Sequence, residues 1–129
     1  MSGNCYAEWK NWKESEFGQT PKHENEYFKT VFKKFNLDNN TKILEIGFGN
    51  GYFLNFARHR GCVIEGIELV SELVERASSN GFKSYTSLEN IQKNNIYDLI
   101  VLFDVLEHIP QDEVLDFLNL LNKFLAENG

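Results

Sequence analysis

Residues 43–51 read Ile-Leu-Glu-Ile-Gly-Phe-Gly-Asn-Gly, an apolar run broken by one acid and followed by three alternate glycines. Glycine permits positive φ and lets the backbone approach a ligand closely. A helical pattern starts at Tyr52, so the turn would stand at a helix N-terminus, whose free N–H groups face outward. Strand, glycine turn and helix are how a parallel sheet holds a nucleotide at its carboxyl edge. The dinucleotide form, G-x-G-x-x-G, requires Gly or Ala at its sixth place. Counted from Gly47, that place is Tyr52. Glu45, two residues before Gly47, would repel a pyrophosphate and favour a cationic ligand or an amine. Both residues disfavour a nicotinamide-dependent oxidoreductase.

A second acid, Glu68, ends the run Val63-Ile64-Glu65-Gly66-Ile67-Glu68. At the end of a second strand, such an acid accepts hydrogen bonds from the two ribose hydroxyls of a bound nucleoside. The bland alternative is a surface acid flanking a helix, since Glu72 and Glu75 follow. Its distance from the glycine turn favours the first reading.

These residues need elements to position them. Lys42 to Ile46, Val63 to Glu68, Phe82 to Tyr85 and Tyr97 to Phe103 read as strands. The last barely alternates, which predicts a fully buried strand. Tyr52 to Arg60 and Ser71 to Asn80 read as helices, the second closed by Gly81. Thr20-Pro21 reads as N-cap and first helical residue of a helix carrying Tyr27, Phe28, Val31, Phe32 and Phe35. Pro110 to Ala126 reads as the final helix, with Val114, Phe117, Leu118, Leu121 and Leu125 on one face. Strands alternating with helices imply right-handed βαβ units and a Rossmann-like, doubly wound parallel sheet. The first 19 residues stand apart. Tyr6, Trp9 and Trp12 recur every three residues, which suits either a packing helix or an aromatic lid.

Composition narrows the function classes. The chain has 129 residues, 42% of them hydrophobic and 25% charged, which fits one globular domain. A net charge of −6 argues against binding nucleic acid, which needs a basic footprint. No apolar run reaches the length that spans a membrane. Two distant cysteines, Cys5 and Cys62, suggest a reducing, cytoplasmic setting.

Glu45-x-Gly47-x-Gly49-x-Gly51, then Glu68, then Tyr97-Asp98-Leu99-Ile100-Val101-Leu102-Phe103-Asp104-Val105-Leu106-Glu107-His108 resembles the class I S-adenosylmethionine-dependent methyltransferases. The nearest likeness is to the small-molecule branch whose fourth strand ends in Leu-Glu-His. The resemblance covers about residues 20–129, as the N-terminal part of a seven-stranded domain with strands one to four in the order 3-2-1-4. It implies that S-adenosylmethionine is the cofactor and S-adenosylhomocysteine its product. Gly47, Phe48, Gly49, Asn50 and Gly51 would lie beside the methionine and ribose, with Glu45 near the amino end. Glu68 would hold the ribose and Leu69 would face the adenine. Ser87 and Leu88 would reach the adenine edge. Phe103 and Asp104 would lie beside the methionine part.

Methyl transfer needs alignment and exclusion of water more than it needs acid–base groups. Where the acceptor must lose a proton, His108 is the candidate base. Equally, Glu107 and His108 could cap the last helix. Asp104, Glu107 and His108 also have the spacing of some divalent-ion sites, but no fourth ligand is evident and no metal is expected. Two functions remain: transfer of a methyl group to a small-molecule acceptor, or a truncated module that binds the cofactor without turnover. The fifth strand is expected only after Gly129. The fourth strand would then keep an open edge, which favours a homodimer through it.

Overall fold

The computed structural model describes residues 17–92, 94, 96–103 and 105–129. The expected lid residues Tyr6, Trp9 and Trp12 lie outside them. Four parallel strands form the sheet: β1 (Lys42–Ile46), β2 (Val63–Ile67), β3 (Lys83–Tyr85) and β4 (Leu99–Val101). Their order is β3-β2-β1-β4, as the resemblance implies. The helices are α1 (Lys22–Phe35), α2 (Tyr52–His59), α3 (Ser71–Ser79) and α4 (Val114–Asn122).

Side chains alternate across a strand, so each strand feeds two cores. On one face Ile43, Ile64 and Val101 pack under α1, α2 and α3. There the phenylalanines of α1 interlock with those of α2. Phe28 and Phe53 meet edge-on at 5.1 Å between ring centres, and Phe32 meets Phe56 at 5.2 Å. Truncating a ring buried like Phe53 costs about 3–5 kcal/mol. On the other face Leu44, Ile46, Ile67 and Tyr97 pack against Leu121 and Phe124.

Two details depart from the sequence reading, the start of α1 and the extent and burial of β4. Thr20 does not cap α1. Pro21 holds that place without a side-chain cap, and the Thr20 hydroxyl donates instead to the Tyr52 carbonyl at 3.0 Å. The helix ends on Asn36 in the left-handed region (φ 53°), with the Leu37 N–H bonded to the Phe32 carbonyl. β4 is shorter than Tyr97 to Phe103, and Leu99 and Ile100 are only half-buried. Among the described strands β4 pairs with β1 alone, so it is an edge strand.

The final helix is also shorter. It ends at Asn122, and Leu118 is 40% exposed where a core position was expected. The chain then leaves the helix to bury Phe124, and Leu125 forms a parallel bridge with Tyr97. The Ala126 N–H donates to the Tyr97 carbonyl at 2.7 Å. The chain's own C-terminal segment therefore covers the start of the β4 edge, where an unpaired edge was expected.

Candidate functional site

The carboxyl ends of β1, β2 and β4 open into a cleft of about 1640 Å³. Its floor is the glycine turn. Gly47, Gly49 and Gly51 all have positive φ, at 74°, 58° and 77°. The tightest constraint is at Gly51, where a Cβ would come within 2.5 Å of the Phe17 ring. The Gly47 N–H donates to the Ile67 carbonyl at 2.7 Å, which ties the turn to the end of β2. The Gly18 N–H donates to the Asn50 carbonyl, also at 2.7 Å. Residues 17–20 thus brace the turn from below, a role the sequence reading missed. Only the aromatic character of Phe17 hinted at it.

Glu68 follows β2 directly and lines the cleft. One carboxylate oxygen accepts from the Gly49 N–H at 3.0 Å, and the other receives a long contact of 3.4 Å from the Val70 N–H. A carboxylate offers about four acceptor sites, so two remain for hydroxyls. Glu45 is 4% exposed and also lines the cleft. Its Oε1 is buried without a hydrogen-bond partner. Burial, and then the nearby charge of Glu68, hold its carboxyl well above the usual carboxylate range. A buried acceptor left unsatisfied is expensive, and a cationic or N–H-bearing ligand would relieve it.

The remaining predicted residues fall as follows. Phe48 is buried, with its ring against Gly66, where a Cβ would lie 2.5 Å from it. Asn50 is buried beside it on the turn. Leu69 is 86% exposed at the rim of the cleft. Ser87 caps the short turn Leu88–Asn90 by accepting the Glu89 N–H at 3.2 Å, and Leu88 is half-buried. Ser87, Leu88 and Phe103 all line the cleft. Asp104 lies outside the described residues.

His108 lines the cleft on the turn Leu106–His108, exposed, with Nε2 3.5 Å from a Glu107 oxygen. The capping alternative fails, because α4 begins at Glu113 with no side-chain cap bond. The sequence reading also missed the wall supplied by α1. His23, Glu24, Tyr27 and Phe28 line the cleft, and Tyr27 is 53% exposed. The cue lay in the polar residues at the start of that helix.

The family described as a methyltransferase domain matches residues 21–129. The chain belongs to that family. The chain is 27% identical over 78 residues to the ubiquinone biosynthesis O-methyltransferase of Vibrio vulnificus, covering 54% of this chain and 33% of that enzyme. It thus spans about a third of the length of the curated relatives it matches. The YcgJ protein of Bacillus subtilis shares the fold at a TM-score of 0.66 and 17% identity, over 83% of this chain and 48% of that one. PKMT2 of Rickettsia typhi, solved in complex with AdoHcy, aligns at a TM-score of 0.58 and 26% identity, over 80% of this chain and 23% of that one. These likenesses agree with the Rossmann-like sheet described above.

Proposed function

We propose that the cleft binds S-adenosylmethionine and directs its methyl group to a small-molecule acceptor. The observation that carries this reading is Glu68, at the end of β2, bonded to the Gly49 amide and open to the same cleft. Glu68 takes both ribose hydroxyls on its remaining lone pairs. The Gly47–Gly51 turn gives the methionine and ribose a wall without side chains, and Glu45 offers its orphaned oxygen to the amino group. Leu69, Ser87 and Leu88 border the adenine. Phe103 stands beside the methionine portion, and the family resemblance assigns Asp104 the same role. When bound, the cofactor would supply an electrophilic methyl carbon on its sulfonium to the acceptor's lone pair, the carbon–sulfur pair staying on sulfur in S-adenosylhomocysteine. His108 takes a proton from acceptors that must lose one.

In this reading residues 20–129 are the methyltransferase part. The acidic charge supports a function without nucleic acid. No helix among the described residues is long and apolar enough to cross a membrane. The buried free thiol of Cys62 suits the reducing cytoplasm in which we place the chain. The β4 edge beyond the Leu125 bridge, with exposed Leu115 and Leu118 nearby in sequence on α4, supports a homodimer. Sedimentation over a concentration series tests it, and a clean monomer of 15.0 kDa rejects it.

The cofactor assignment is tested by calorimetric titration with S-adenosylhomocysteine. Glu68→Ala should weaken binding by about 1.5–3 kcal/mol, the scale of hydrogen bonds to a charged group. NAD should not bind. An unchanged affinity in the variant removes Glu68 from the site.

A further inference from the structure

The cleft walls left over by the cofactor carry a consistent charge. Glu24 comes from the first turn of α1, Glu107 from the turn after β4, and Glu113 from the residue that starts α4. Among the described lining residues there is no lysine or arginine. Two histidines stand with the acids, His23 at 3.7 Å from Glu24 and His108 at 3.5 Å from Glu107. The same cleft is lined by an aromatic surface. Tyr27 is 53% exposed, and its ring meets that of Phe103 edge-on at 5.8 Å. Phe28 meets Phe103 at 5.6 Å.

A ring face attracts a cation through its quadrupole, and carboxylates around it add to that attraction. An anion entering the same space meets like charge with no basic side chain among the described walls to offset it. A neutral phenol or alcohol gains the apolar contact alone. At the cofactor end, the buried and unpartnered oxygen of Glu45 opens on the same cleft and likewise suits positive charge.

We propose that the acceptor taken by this cleft is an amine attached to an aromatic or other apolar body, and that Glu24, Glu107, Glu113 and Tyr27 select it against carboxylate- and phosphate-bearing acceptors. This inference rests on the methyltransferase reading of the site. The amine binds as an ammonium between the acids and the rings. It then gives one proton to the His108 imidazole, and its freed lone pair is the nucleophile. The acids thereby decide which molecules enter, and His108 decides when the nitrogen can react.

The test is a comparison of three probes of similar size on the full chain saturated with S-adenosylhomocysteine: 2-phenylethylamine, 2-phenylethanol and 3-phenylpropionate. Binding is read by ligand-observed NMR and calorimetry. The amine should bind about tenfold or more tighter than the carboxylate, with the alcohol between them. The preference should shrink as salt rises, because screening acts on exposed charges. The triple variant Glu24→Gln, Glu107→Gln, Glu113→Gln should bring amine and carboxylate within about twofold of each other. Tyr27→Leu, which changes no charge, should weaken the amine and leave the carboxylate unchanged.

Equal or tighter binding of the carboxylate or the alcohol overturns the proposal, as does a preference that survives the triple variant. Should S-adenosylhomocysteine itself fail to bind, the methyltransferase reading falls instead. The same three probes titrated into the free chain then decide the amine preference alone.

Discussion

Glu45 and Glu65 stand on neighbouring strands of one sheet, and both are buried, at 4% and 6% exposure. Their surroundings differ. The register pairs Glu65 with Leu44 and Glu45 with Gly66, so the two carboxylates project from opposite faces. Glu65 is engaged by its own chain. It accepts the Tyr97 hydroxyl at 2.6 Å and the Tyr85 hydroxyl at 3.4 Å, and Lys42 Nζ lies 3.8 Å from its second oxygen. Burial first, and then that bond to Glu65, push the Tyr97 phenol far above its ordinary range, so it remains a donor. Glu45 has an orphaned oxygen, the charge of Glu68 nearby, and a cleft in front of it. A buried carboxylate whose lone pairs are satisfied is part of the fold. One left unsatisfied at a cleft is held ready for something that is not part of the chain.

The largest expected effect falls on the satisfied side. Tyr97→Phe removes the short bond to Glu65 and leaves a buried carboxylate short of a donor. It should lower stability by about 2–3 kcal/mol in urea unfolding, the upper range for bonds to charged groups. Affinity for S-adenosylhomocysteine should not change. A loss of affinity of similar size would break the comparison, because it would make the Glu65 face part of the site.

Glu45→Gln should reverse that pattern. Stability should hardly change, since the amide is close in shape to the carboxyl and burial already disfavours the charged form. Affinity for S-adenosylhomocysteine should fall about tenfold, or about 1.4 kcal/mol, through loss of a charged partner for the amino group.

The pH dependence of stability sharpens the same contrast. The unfolded chain releases the Glu45 proton near the ordinary value of 4.5, whereas the folded chain retains it to a higher pH. Between those two values the folded state binds more protons, so this group's contribution to stability falls as pH rises. Glu45→Gln should flatten that decline in thermal melts across the same window. A decline that persists unchanged in the variant assigns it to another group.

The smallest effect belongs to Lys42→Met. Its ion pair with Glu65 spans 3.8 Å, and the lysine side chain is 34% exposed. Solvent screens such a pair, so the loss should stay below about 1 kcal/mol. A larger loss would show that Glu65 depends on the cation more than on the tyrosine hydroxyl.

The parts of the site legible in the sequence were those fixed by local geometry. Three glycines after an apolar run require positive φ within five residues, and few other local structures use that pattern. Glu68 was legible because strand and helix lengths bring it beside the turn whatever else the chain does. The parallel sheet was legible from the alternation of strands and helices, whereas the strand order came from the family resemblance.

Tertiary structure alone decided the rest. Both buried glutamates look alike in sequence, each inside an apolar strand. Which one is satisfied depends on Tyr97, 32 residues beyond Glu65, reaching the same face. The cleft wall on α1 depends on how that helix is rolled against α2, which turns Phe28 inward and leaves Tyr27 in the opening. β4 was read as fully buried because its composition is apolar, yet burial is a property of neighbours, and in the described residues it has a strand on one side only. Local sequence sets the conformations that a turn can adopt. The approach of distant side chains sets which polar groups are left for a ligand.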